Sequence, residues 1–167
     1  MRVLGIDPGI AETGFGLVAV EGSRARALDH GVVATSAAER LERRVAEIHR
    51  RIAGLVATHE PDAVALEDLY VGGNPRTVLS VGHARGAVLS ACGLAGVEAT
   101  GYAPAQIKTT VCGYGRADKR QVQRMVAAIL GIDPPPASDH AADALAVALC
   151  HVQSARAAVP LRAVAAR

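Results

Sequence analysis

The stretch AADALAVAL, Ala141 to Leu149, is apolar nearly all the way round, and a helix of that kind belongs in an interior, covered on every side. Asp143 nonetheless lies inside it. No Lys or Arg occurs from Gly131 to Gln153, so the carboxylate needs a distant cation, a proton or a bound metal. His140 precedes Asp143 by three residues and shares its helix face, with Cβ atoms about 5–6 Å apart. Both side chains can reach one ion.

What covers such a helix follows from the order of elements. Arg2 to Ile6 is apolar and branched, as in a strand buried on both faces, and Asp7, Pro8 and Gly9 end it in a turn. Thr13 to Glu21 and Arg26 to Thr35 read as two further strands of a meander. From Glu39 to Glu60, Leu41, Val45, Ile48, Ile52, Leu55 and Val56 recur at helical spacing until Pro61. Ala63 to Asp68 is a fourth strand, Arg76 to Cys92 a helix, and Val97 to Ala103 a fifth strand. Asp118 and Gln121 form a capping box ahead of a helix holding Val122, Val126 and Leu130. Pro134 to Pro136 and Ser138 introduce the last helix, from about His140 to His151. This order predicts an α/β protein with a five-stranded mixed sheet and helices on both faces. It forms one domain over residues 1–153. Residues 154–167, with Arg156, Arg162 and Arg167 and no acid, are expected to be a loose basic tail.

Glu67 ends the fourth strand as Asp7 ends the first. Sites in open α/β sheets collect at carboxyl strand ends, so Asp7, Glu67, His140 and Asp143 form one candidate group. Carboxylates that close repel one another. Two magnesium ions about 3.5–4 Å apart would turn the repulsion into coordination and equip the site for phosphoryl chemistry. Taken singly, Asp7 also suits a turn and Glu67 or His140 a solvated position. Asp68 faces away from Glu67 by strand alternation and is expected to be structural, and Asp139 to be a cap.

At 167 residues with half of them hydrophobic, the chain is neither disordered nor large enough for several domains. No apolar run long enough to span a bilayer is evident, and Met1 to Asp7 lacks the apolar stretch of a secretory signal. Cytoplasmic residence is expected. Cys92, Cys112 and Cys150 show no CxxC pairing and read as reduced core thiols, with no structural metal. The net charge of +2 is small but uneven, since Gly101 to Leu130 carries Lys108, Arg116, Lys119, Arg120 and Arg124 against Asp118 alone. That segment can meet an anion.

The segments GIDPGIAETGFG, ALEDLYVGGNPRTVLSVGHARG, YAPAQIKTTVCGYGRADKRQVQRMV and DHAADALAVALCH resemble, in order and spacing, the RuvC family of bacterial Holliday-junction resolvases. The resemblance covers all but the tail. It implies a ribonuclease H-like fold, a homodimer and a magnesium-dependent endonuclease that nicks two strands of a four-way DNA junction symmetrically, in recombination and repair. Asp7, Glu67 and Asp143 match the family's catalytic acids. His140 departs from the fourth Asp common there. As a neutral imidazole it still ligates metal and favours manganese, so Mn2+ is expected to substitute for Mg2+. Lys108 and Lys119 match positions that face DNA, and Arg76, Arg116, Arg120 and Arg124 would widen the phosphate surface. Tyr70 matches an aromatic of the DNA-facing loop that can stack on an exposed base. Gly82, Gly86 and Ser90 give their helix a face without bulk that can pack on the sheet, but the helix corresponds to a dimer contact of the family, which makes these residues candidates for it. Branch-migration proteins RuvA and RuvB are implied partners.

Two other classes compete. A catalytically silent branched-DNA binding protein would need the basic surface without the acids. An actin-like nucleotide phosphotransferase shares an Asp and Gly after its first strand, but this chain is too short for two such domains and has no GxxxxGK[ST] loop.

Overall fold

The computed structural model describes residues 1–69 and 74–165, with the side chains of the last helix described as far as residue 157. Ten elements follow one another: β1 (Arg2–Asp7), β2 (Glu12–Glu21), β3 (Arg24–Ala34), α1 (Leu41–His59), β4 (Ala63–Glu67), α2 (Pro75–Ala95), β5 (Ala99–Tyr102), α3 (Pro104–Cys112), α4 (Lys119–Leu130) and α5 (Asp139–Ala165). The strands form one sheet in the order β3-β2-β1-β4-β5. β1, β2 and β3 are an antiparallel meander, while β4 and β5 add in parallel beyond β1. The mixed sheet expected from the sequence is therefore present.

Alternation along the strands divides the core in two. Leu4, Ile6, Leu17, Val64 and Leu66 join Ile48, Ile52 and Val56 of α1 and Ala84, Ala87 and Val88 of α2 in one buried cluster. Val3, Val18 and Ala65 join residues of α3, α4 and α5 in the other. α5 is the covered helix its composition demands: Ala142, Ala144, Leu145, Ala146, Val147 and Ala148 are wholly buried.

How α5 sits on the sheet depends on three glycines. Gly5 pairs with Gly16 across β1 and β2, and Asp7 with Gly14. A Cβ at Gly5 would overlap the Ala144 carbonyl oxygen, one at Gly14 the His140 carbonyl oxygen, and one at Gly16 the Leu145 side chain. The alanine-rich helix thus rests almost backbone to backbone on this part of the sheet, with its first turn over the ends of β1 and β2.

Several expectations change. α3 occupies a segment for which the sequence pattern predicts no element. It starts at Pro104 and stops at Gly113, which takes a left-handed conformation. α5 runs to Ala165, past the end expected at His151 and through most of the expected tail, because alanine-rich sequence sustains helix. By length and composition alone α2 would pass for a bilayer span, contrary to the reading that no such run exists. Ala84, Ala87, Val88, Ala91 and Cys92 turn one face of it into the core. Asp139 is the first residue of α5 and not the expected cap: its carboxylate accepts from Gln123 of α4 at 2.5 Å. The three cysteines are free, and the Asp118–Gln121 capping box is formed in both directions.

Candidate active site

Each acid reaches the site by a separate local route. β1 runs parallel to β4 with Ile6 opposite Leu66, so Asp7 and Glu67, one residue further on each, are neighbours at the carboxyl edge of the sheet. Both follow the alternation of Val3 and Ala65 and point to the α5 side. α5 then lays His140 and Asp143, three residues apart, over the same edge. Asp7, Glu67, His140 and Asp143 line a single cavity of about 340 Å³ together with Lys108 and Lys119, and Pro104, Ile107 and Val122 form its apolar wall. The four residues chosen from sequence are together.

Asp68 shows what strand alternation does to an adjacent acid. It faces α2, where Arg85 donates to its Oδ1 at 2.8 Å and to the Glu67 carbonyl oxygen at 2.8 Å. Gly101 of β5 leaves room for that carboxylate, since a Cβ there would overlap it. Arg85 thus braces the end of β4 from behind while the Glu67 carboxyl faces the cavity. The sequence offered no sign of this partner, which lies 17 residues away on another element.

The electrostatics of the cavity are those of crowded acids. Burial pushes the Glu67 carboxyl up to about 7, helped by the charges of Asp7 and Asp143 and opposed by Lys108 and Lys119. Asp143 is pushed up to about 6 by burial and by Asp7, against the lowering effect of Lys119 and His140. Asp7, only 17% exposed, sets its Oδ2 2.6 Å from Nδ1 of His140. The other imidazole nitrogen of His140 lies 3.5 Å from Oε2 of Glu12, an acid that the sequence reading passed over because it stands alone at the start of a strand.

Three carboxylates and an imidazole form a donor set that suits a divalent cation, and their mutual repulsion is what such a cation relieves. Among the described residues no three of these donors are yet drawn in around a common point. Asp7 Oδ2 and His140 Nδ1 instead face one another in a direct contact.

The remaining candidates divide by position. Lys108 and Lys119 belong to the cavity itself. Arg76 lines an adjoining cleft that shares His140 as its wall, while Arg116 and Arg120 are exposed on the surface around the start of α4. Tyr70 lies outside the described residues. Gly82 and Gly86 have nothing within 4 Å of where a Cβ would stand, so this face of α2 does not pack on the sheet, and Ser90 is exposed beside it.

Residues 3–151 match the model of the RuvC family, crossover junction endodeoxyribonucleases. The RuvC protein of Thermomicrobium roseum is 49% identical over 158 residues, spanning 95% of this chain and 96% of its own. That of Syntrophomonas wolfei is 45% identical over 156 residues, covering 93% and 91%. Among solved structures, Thermus thermophilus RuvC in complex with a Holliday junction substrate superposes with a TM-score of 0.90 at 43% identity, over 95% of this chain and 96% of that one. The yeast mitochondrial Holliday junction resolvase shares the ribonuclease H-like fold with a TM-score of 0.64 at 13% identity. A match of this extent takes in every element that bounds the cavity, and on that ground the chain belongs to the RuvC family of crossover junction endodeoxyribonucleases.

Proposed function

We propose that this chain resolves four-way DNA junctions by hydrolysing one phosphodiester bond in each of two strands, with Asp7, Glu67, His140 and Asp143 holding two divalent cations per site. Magnesium is the expected ion and manganese a competent substitute. The observation that carries this reading is the convergence of the four side chains with Lys108 and Lys119 in one cavity. Asp7, Glu67, His140 and Asp143 would hold the cations, whose chemistry would be to activate a water and stabilise the leaving oxygen.

The chain's own groups do the rest. Lys108 and Lys119 stand where they neutralise the scissile phosphate and offset the acids between visits of DNA. The apolar wall of Pro104, Ile107 and Val122 limits bulk water around the reacting bond. Arg76, Arg116 and Arg120 extend the basic surface outward, so they hold backbone phosphates and set the register of the strand without reading sequence. Tyr70 is assigned to stacking on an unpaired base.

Two cuts require two sites, and α2 is the surface on which a second copy fits. Its core face is used, yet Leu79 is 62% exposed, Leu89 41% and Leu94 80%, with Gly82, Gly86 and Ser90 between them. A helix this apolar on its open side is stabilised when a symmetry mate covers it.

The test is a synthetic four-way junction assayed for nicking and for binding. Asp7→Asn and Glu67→Gln are expected to bind within about threefold of wild type and to nick at least about 1,000-fold more slowly, as loss of residues that act as one catalytic unit does. Undiminished nicking would show that the cleaving acids lie elsewhere, and wild-type binding without nicking would establish the silent binding protein.

A further inference from the structure

The His140 imidazole has two edges, and the acid cluster uses one. Nδ1 meets Asp7 at 2.6 Å, while Nε2 points out of the cluster to Glu12, 3.5 Å away. Glu12 opens β2, and its carboxylate, 54% exposed, lies in the adjoining cleft shared with His140.

The backbone beneath Glu12 is held firmly. Thr13 is the buried polar residue of this region, at 0% exposure. Its hydroxyl donates to the Gly9 carbonyl oxygen at 2.7 Å and accepts from the Gly9 N–H at 3.4 Å. A Cβ at Gly9 would overlap the Glu12 carbonyl oxygen, so the two ends of the turn touch, and Gly14 seats the His140 backbone directly. The start of β2 and the first turn of α5 are therefore fixed relative to one another from both sides of Glu12.

An imidazole that gives one nitrogen to a metal is held in orientation by what the other nitrogen donates to, and a carboxylate is a common partner. We propose that Glu12 is a positioning residue: it takes the Nε2–H of His140 and keeps Nδ1 turned into the cavity when Asp7 rotates toward a cation. This rests on the reading of His140 as a ligand. Glu12 touches neither the cavity nor the reacting phosphate.

Binding of Mn2+ alone to the full chain, measured calorimetrically without DNA, tests it. Glu12→Ala is expected to weaken Mn2+ about 10-fold or more, the usual cost of losing such a partner. Glu12→Gln, which keeps an acceptor oxygen, should recover most of that loss. With His140→Asp already in place, Glu12→Ala should change affinity by less than about twofold, because no imidazole remains to be oriented. A full loss persisting in the His140→Asp background would overturn the proposal and make Glu12 a simple attracting charge. Unchanged affinity in Glu12→Ala, with His140→Ala still weakened, would overturn it and leave the ligand reading standing. If His140→Ala binds Mn2+ as wild type does, the ligand reading falls and the proposal falls with it. Thermal unfolding of each variant confirms that it is folded when titrated.

Discussion

The two faces of the sheet are filled in opposite ways. Toward α1 and α2, Leu4, Ile6, Leu17, Val64 and Leu66 interlock with Ile48, Ile52, Val56 and Val88, and the layer is thick with branched side chains. Toward α5 the strands offer Gly5, Gly14 and Gly16, and the helix answers with alanines. The first face stores stability in side-chain volume. The second gives up volume so that a helix can come close enough to lay His140 and Asp143 beside Asp7 and Glu67. Along the strip of β1 and β2 beneath α5, close approach takes precedence over side-chain volume, while Ile107, Val126 and Leu130 complete a core beyond it.

The contrast can be broken by mutation. Gly5→Ala should have the largest effect, because its methyl group would overlap the Ala144 carbonyl oxygen and lift α5 away from β1. Cleavage is expected to fall by about 100-fold or more, the usual consequence of a displacement near 1 Å in a catalytic group, with about 1–3 kcal/mol of stability lost to overpacking. Junction nicking per folded molecule, together with chemical denaturation, measures both. A variant that nicks normally would show that the close seat of the helix is not what places the acids.

Ile52→Ala, on the other face, should reverse the balance. Ile52 is wholly buried, so truncation costs about 2–5 kcal/mol, while nicking per folded molecule stays near wild type at a temperature where the variant remains folded. A matching collapse of activity would mean that the faces are coupled.

A smaller effect sharpens the comparison through pH. Glu67 and Asp143 are raised in the folded protein, to about 7 and about 6, so the folded state binds more protons than the unfolded one across the interval from their ordinary values up to those figures. Stability of the metal-free protein therefore falls as pH rises through that interval and is recovered on acidification. A difference on the order of 2 kcal/mol between pH 5 and pH 8 is expected after allowance for solvent screening. Glu67→Gln should flatten it, and saturating Mg2+ should remove it. Thermal unfolding at the two pH values decides, and a metal-free protein more stable at pH 8 would refute the crowding of acids.

Much of this was legible in sequence for reasons that can be named. α5 carries Asp143 where no charge should be buried, and β1 and β4 carry short apolar runs ending in Asp7 and Glu67, so three of the four candidate groups are marked by their place in the pattern. The Asp118 capping box is a local rule that needs no tertiary knowledge. α3 escaped because nine residues mixing Thr109, Thr110 and Val111 with Gln106 and Lys108 show little periodicity. Its traces were Pro104 at the start and Gly113 at the end. Arg85 and Glu12 escaped for another reason: each acts on a residue distant in sequence, and only the strand register and the seat of α5 bring them into contact. α5 continues past His151 into a segment whose arginines and missing acids suggest a loose tail, because its alanines favour helix.

The braced end of β4 has a wider consequence. Asp7 and Glu67 ride on neighbouring strands locked by a hydrogen-bond ladder, with Arg85 clasping the second of them. His140 and Asp143 ride on one turn of one helix. The backbone anchors of neither pair can change their spacing, so the arrangement behaves like a two-jawed vice with a single screw, the height of the helix above the strands. Drift in this protein's lineage would then register less as four independent adjustments than as travel along that one coordinate, and the glycines at the hinge of the jaws set where it stops.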